Sequence, residues 1–74
     1  MWSVQAAALR TRTEADALVR KLRERGYDAR VDGTTAPFRV RFGIFPTRAA
    51  AAAALERYKT REKSDGFLVE APRG

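Results

Sequence analysis

The clearest alternation in the chain is Phe38-Arg39-Val40-Arg41-Phe42, apolar and basic by turns. A period of two marks a strand with one face buried and one wet. This segment therefore predicts a β-strand, closed by Gly43 and Pro46. Weaker alternations run through Trp2 to Leu9, Tyr27 to Val31 and Phe67 to Glu70. Between them the period becomes helical. Ala15, Leu18, Val19 and Leu22 form one i, i+3, i+4, i+7 stripe, and Ala51, Ala54, Leu55 and Tyr58 form a second. Thr11 precedes Glu14 at capping-box spacing, and Thr47 can cap the second helix. Gly26 is placed to end the first helix in the left-handed region. Asp32-Gly33 and Pro37 mark a turn, and Lys59 to Asp65 reads as a charged connection. Ala71 to Gly74 reads as a frayed tail.

The halves repeat. At an offset of 36, Val4 falls on Val40, Leu9 on Phe45, Thr11 on Thr47, Arg12 on Arg48 and Leu22 on Tyr58. Past the helices the offset grows to 40, which lays Gly26-Tyr27 on Gly66-Phe67. Each unit reads strand, helix, strand, the first over about residues 2–32 and the second over about 37–71, within one domain spanning 1–74. The predicted fold is α+β, a β-α-β-β-α-β arrangement of ferredoxin-like or RNP-like type. Its four-stranded antiparallel sheet carries both helices on one face. Right-handed crossovers place the first and third strands at the centre.

The helix-free face is the natural binding surface. With Val4, Ala29, Val31, Val40 and Phe42 directed inward, Ser3, Gln5, Ala7, Asp28, Arg30, Arg39, Arg41, Gly43, Leu68 and Glu70 take the outward phase. Trp2, Tyr27, Phe38 and Phe67 take the inward one. The repeat pairs Gln5 with Arg41, near a pseudo-two-fold axis on neighbouring central strands.

Composition acts mainly by exclusion. The 74 residues include no Cys and no His, so disulfides, thiolate metal sites and the commonest general base are absent. No metal site, cofactor or catalytic residue is predicted. Asp28 and Glu70, the acids of the outward rows, fall on opposite edges, about 14 Å apart at ~4.8 Å per strand. A glycosidase wants its carboxyls about 5–9.5 Å apart. Fifteen basic against nine acidic residues give a net charge of +6, which admits an anionic partner. Much of that surplus sits on helices and loops. Arg12, Arg20, Lys21, Arg23 and Arg25 read as a solvated helix face. The apolar run Ala49 to Leu55 is far short of the about 20 residues a membrane span needs, so any membrane link runs through a parent protein. The topology also suits an RNA-binding RRM, whose bases stack on outward aromatics. The outward positions of the two central strands hold no ring, so nucleic acid is disfavoured. A protein-interaction module remains a third possibility, and the sequence is silent on oligomeric state.

Three stretches carry a family resemblance: S-V-Q-A-A-A-L-R-T-R-T-E-A at 3 to 15, L-x-x-x-G-Y at 22 to 27, and F-R-V-R-F-G-I-F-P-T-R at 38 to 48. Together they resemble a SPOR domain, the sporulation-related repeat, over nearly the whole chain. The resemblance implies a fold of two βαβ repeats that binds bacterial peptidoglycan. It implies a preference for glycan strands stripped of stem peptides at the division septum. It also implies a place at the C-terminus of a larger envelope protein, periplasmic or otherwise extracytoplasmic, directed to the septum by this module. The residues it assigns to glycan binding are Gln5, Ala7, Ala8, Phe38, Arg39, Arg41 and Phe67, and Ser3, outward on the same strand as Gln5, joins them as a candidate. The family often has Gly where Ala7 stands and Phe where Leu9 stands, and the second unit keeps both, as Gly43 and Phe45.

Overall fold

The computed structural model describes residues 1–70. Strand β1 (Trp2–Leu9) leads to helix α1 (Arg12–Glu24) and strand β2 (Ala29–Asp32). Strand β3 (Phe38–Phe45), helix α2 (Arg48–Glu62) and strand β4 (Phe67–Glu70) repeat the plan. The sheet runs β2-β3-β1-β4, antiparallel throughout, with the first and third strands central as expected. The frayed tail expected over 71–74 lies outside the described residues.

Local chemistry sets the helix ends. Thr11 accepts a hydrogen bond from the Glu14 amide at 3.1 Å, and Thr47 accepts one from Ala50 at 3.1 Å. Each cap supplies an acceptor to an amide that has no partner within its helix. At the end of α1, Gly26 N–H donates to Arg23 and Tyr27 N–H donates to Leu22, a Schellman closure with Gly26 at φ +97°. Helix α2 runs further than the charge pattern suggested. Lys59 to Glu62 are helical, and Lys63 at φ 55° ends the helix. The Ala-rich start propagates helix well, and basic residues in the last turn suit its negative end.

Both stripes turn to one core. Val4, Ala15, Val19, Leu22, Ala29, Val40, Phe42, Ala54 and Tyr58 form a single buried cluster, with Leu18 and Leu55 half-buried beside it. Tyr27, Phe42 and Tyr58 stack mutually at ring-centre distances of 4.9, 5.5 and 5.1 Å. Glu62 closes this corner. Its carboxylate accepts from Arg25 at 2.6 Å and from the Tyr27 hydroxyl at 3.0 Å, joining the C-terminal ends of the two helices. The Arg25 hydrogen bond leads in holding Glu62 below its ordinary pKa of 4.5. Burial, then the bond to Glu62, holds the Tyr27 phenol above its ordinary value.

A depressed carboxylate adds stability that is complete above its unfolded pKa and is lost as pH falls through the folded one. The wild-type unfolding midpoint should therefore fall on acidification from about pH 6 to about pH 3 by more than that of Glu62→Gln. Thermal melts of both proteins check this, and parallel pH profiles would remove Glu62 as the acid-sensitive group.

Two irregularities reshape the helix-free face. Between the Val4–Phe42 and Trp2–Phe45 pairs, Ser3 alone on β1 faces Gly43 and Ile44 on β3. Gly43, at φ +76°, takes the left-handed turn of this bulge and does not close the strand. Between the Gln5–Arg41 and Ala7–Val40 pairs, Ala6 is the extra residue on β1. Ala7 therefore joins the inward phase of Val40, and Ala8, paired with Arg39, continues the outward row. This reverses the phase expected for Ala7, and it explains how Leu9, an odd-numbered position, packs on the core.

Strand β4 also has the opposite phase to that expected. Leu68 pairs with Val4 and packs on the core, and Phe67 pairs with Gln5 and is 55% exposed. The cause lies in the register. Ala29 pairs with Phe42, whose repeat counterpart is Ala6, and the β1–β4 register brings Gly66 beside Ala6. Gly66 thus takes the place of Ala29, an offset of 37. That number is odd, and the sequence match at 40 was even, so each β4 side chain changes face. Glu70, opposite Trp2, leaves the outward rows for the same reason.

Candidate glycan-binding face

The centre of the helix-free face is the Gln5–Arg41 pair, directly opposite each other on β1 and β3. Arg41 Nε donates to Gln5 Oε1 at 3.0 Å. Residues related by the repeat thus meet at its pseudo-two-fold axis, as the offset of 36 requires. Gln5 has Arg41 on one side and Phe67 on the other, and these neighbours leave it only 5% exposed. It lies on the expected face, yet it is covered by its flanks and is not bare. Its carbonyl oxygen is engaged by Arg41. Its amide nitrogen has no acceptor among the described residues and is not sealed from solvent. Gln5 therefore offers donors outward and uses its acceptor to fix Arg41.

Ser3 is fully buried, although it stands on the same face. Its hydroxyl donates to the Gly43 carbonyl at 2.5 Å and accepts from Arg30 Nη2 at 2.7 Å. Arg30 Nη1 donates to the same carbonyl at 3.2 Å. Ser3 holds the bulge and cannot itself touch a ligand, which corrects its assignment as a contact. Phe38 is half-buried and points the other way. It pairs with Leu9 in the inward phase and packs on the core. Its partial burial follows the alternation of β3, since apolar area withdrawn from water stabilises so small a domain.

The groups exposed to a ligand are Arg39, Arg41, Phe67 and Ala8. Arg39 is exposed and has no acid within ion-pair distance among the described residues. Arg41 keeps 18% of its side chain accessible and donates through Nη1 to Asp32 at 3.2 Å. Phe67 adds an exposed ring beside Gln5. Rings offer flat apolar contact, and guanidinium forks match carboxylates. The face therefore suits a ligand with apolar ring faces, many hydroxyl and amide groups and scattered negative charge.

Two residues of this network escaped the sequence-based site. The alternation puts Arg30 on the face without giving it a role, and Asp32 reads from the sequence only as part of a turn. Asp32 keeps the phase of Arg30 by simple alternation, and extending that count by two positions would have found it. It is the acid of the face in place of Asp28 and Glu70. Asp28 precedes β2 and contributes its backbone carbonyl to Gly43 N–H.

Fold and face together define a βαββαβ binding domain that presents a cationic, hydrogen-bonding sheet surface. The SPOR domain family model matches residues 2–70, and the chain belongs to that family. SPOR domains bind peptidoglycan in the extracytoplasmic cell envelope and are associated with cell division, and this chain is one of these peptidoglycan-binding domains. No curated protein and no solved structure matches the chain significantly.

Proposed function

We propose that the domain binds glycan strands lacking stem peptides across its helix-free face. By this binding it would direct a larger envelope protein, of which it is the C-terminal module, to the division septum. The observation that carries this reading is the Gln5–Arg41 pair at the centre of the face, with Arg39, unpaired among the described residues, beside it. A stripped strand exposes lactyl carboxylates along its length. A stem peptide converts each carboxylate to an amide and adds bulk where the strand meets the sheet. Arg39 and Arg41 provide the planar forks for such carboxylates, Gln5 donates to hydroxyl or N-acetyl oxygens, and Phe67 covers a sugar ring. Single neutral contacts contribute about 1 kcal/mol each, so affinity accumulates along the strand.

Purified sacculi, with and without amidase digestion, test this directly. Digestion should raise the retained fraction of the domain severalfold. Equal retention on both would contradict the preference for peptide-free strands. RNA is the control polyanion. An RRM places its rings on the central strands, and here the outward positions of those strands hold Gln5 and Ala8 beside Arg39 and Arg41. Weak, steeply salt-dependent retention on RNA is the expected result.

A further inference from the structure

Two arginines of the face converge on one carboxylate. Asp32 Oδ2 accepts from Arg41 Nη1 at 3.2 Å, and Asp32 Oδ1 lies 3.6 Å from Arg30 Nε. Each arginine in turn reaches across to β1. Arg41 fixes the Gln5 carbonyl, and Arg30 fixes Ser3 and the Gly43 carbonyl of the bulge. Strand β2 is a short edge of the sheet, yet through these two arginines its last residue is linked to both central strands. The three side chains are partly withdrawn from solvent, with Asp32 33%, Arg30 29% and Arg41 18% exposed. Flexible arginines held in this way lose less conformational freedom when a ligand arrives.

We propose that Asp32 is the positioning residue of the glycan face, holding Arg41, and through it the Gln5 amide, ready for the ligand. This role rests on the reading of the face as the glycan site. It makes a prediction opposite in sign to simple electrostatics. Asp32→Asn removes the negative charge facing Arg30, Arg39 and Arg41. If net charge governed binding, an anionic glycan would bind the variant more tightly. If positioning governs it, affinity falls, by about fivefold for a half-exposed ion pair of about 1 kcal/mol.

The experiment measures affinity of the domain for soluble peptide-free glycan fragments, together with side-chain NMR of the free protein. Wild type should show a protected Arg41 Nε–H signal and a well-dispersed Gln5 amide pair. Asp32→Asn should lose both features and bind about fivefold more weakly with its unfolding midpoint little changed, and Asp32→Glu should recover part of the affinity. Binding by Asp32→Asn that equals or exceeds wild type would overturn the role of Asp32 and leave the site intact. A wild-type domain that fails to bind the fragments would overturn the site, and the role with it. Weak binding with an unchanged Arg41 signal would also overturn the positioning role, since Arg41 would then be held without Asp32.

Discussion

Arg41→Ala should lower affinity for amidase-treated sacculi by about tenfold or more, the scale of one lost charge-assisted hydrogen bond. Arg41 is the side chain that joins the centre of the face to its edge, through Nε to Gln5 and through Nη1 to Asp32. Truncation removes the cation, frees the Gln5 carbonyl to swing, and leaves Asp32 unneutralised on that side. Stability should change little, since partly exposed ion pairs contribute about 0–1 kcal/mol. Arg41→Lys should fall between wild type and Ala. An ammonium keeps the charge, but it lacks the fork that reaches Gln5 and Asp32 together. Arg57→Ala removes the same charge from the exposed surface of α2 and should bind as wild type does. Sacculus pull-downs of the three variants check this, and equal losses in Arg57→Ala and Arg41→Ala would show that bulk charge governs binding.

Gly43→Ala should be strongly destabilising. Gly43 sits at φ +76°, and an added Cβ would come within 2.5 Å of two carbons of the Phe45 ring. The left-handed backbone alone costs an L-residue about 1–2 kcal/mol. Displacing a packed ring adds about 1–3 kcal/mol. A total of about 2–5 kcal/mol is a large part of the stability of so small a domain, and should lower the melting temperature by roughly 10–40 °C. Gly26→Ala is the control. Its φ of +97° carries the backbone cost, but no atom lies within 4 Å of the added Cβ. Urea or thermal unfolding of both variants separates the two effects. An equal loss in Gly26→Ala and Gly43→Ala would mean that Phe45 moves aside freely and the bulge is not tightly packed.

The bulge is also where sequence and structure part. Thr11, Thr47 and Gly26 announce the helix ends because a capping hydroxyl and a left-handed glycine act locally. The stripes of both helices, and the strand order, follow from periodicity and from the duplication. The pairing of Gln5 with Arg41 was legible because the duplication itself brings them to the axis. The phase of β4 was not legible. It depends on how α2 and its four-residue exit deliver the chain to β1, and a one-residue difference there exchanges the faces of Phe67 and Leu68. Ala6 has the same effect within β1, where an extra residue in an alanine run leaves no trace in the hydrophobic pattern. Burial of Ser3 and Gln5 on the helix-free face was equally hidden. It arises from long arginine and phenylalanine side chains of neighbouring strands folding over them, which alternation along one strand does not report.

The face that emerges is more prepared than the alternation implied. Gln5 and Ser3 form its floor, Arg30 and Asp32 brace it, and Arg39, Arg41 and Phe67 are the side chains proposed to meet the glycan. The central claim is that peptidoglycan strands lie on this surface and not on the basic helices. A titration of the isotopically labelled domain with soluble peptide-free glycan, followed by amide and side-chain NMR shifts, tests it most directly. The account predicts saturable shifts concentrated at Gln5, Ala8, Arg39, Arg41 and Phe67, with Arg20, Arg23 and Arg57 unmoved. Saturable shifts along α1 and α2, with the sheet residues unmoved, would contradict it.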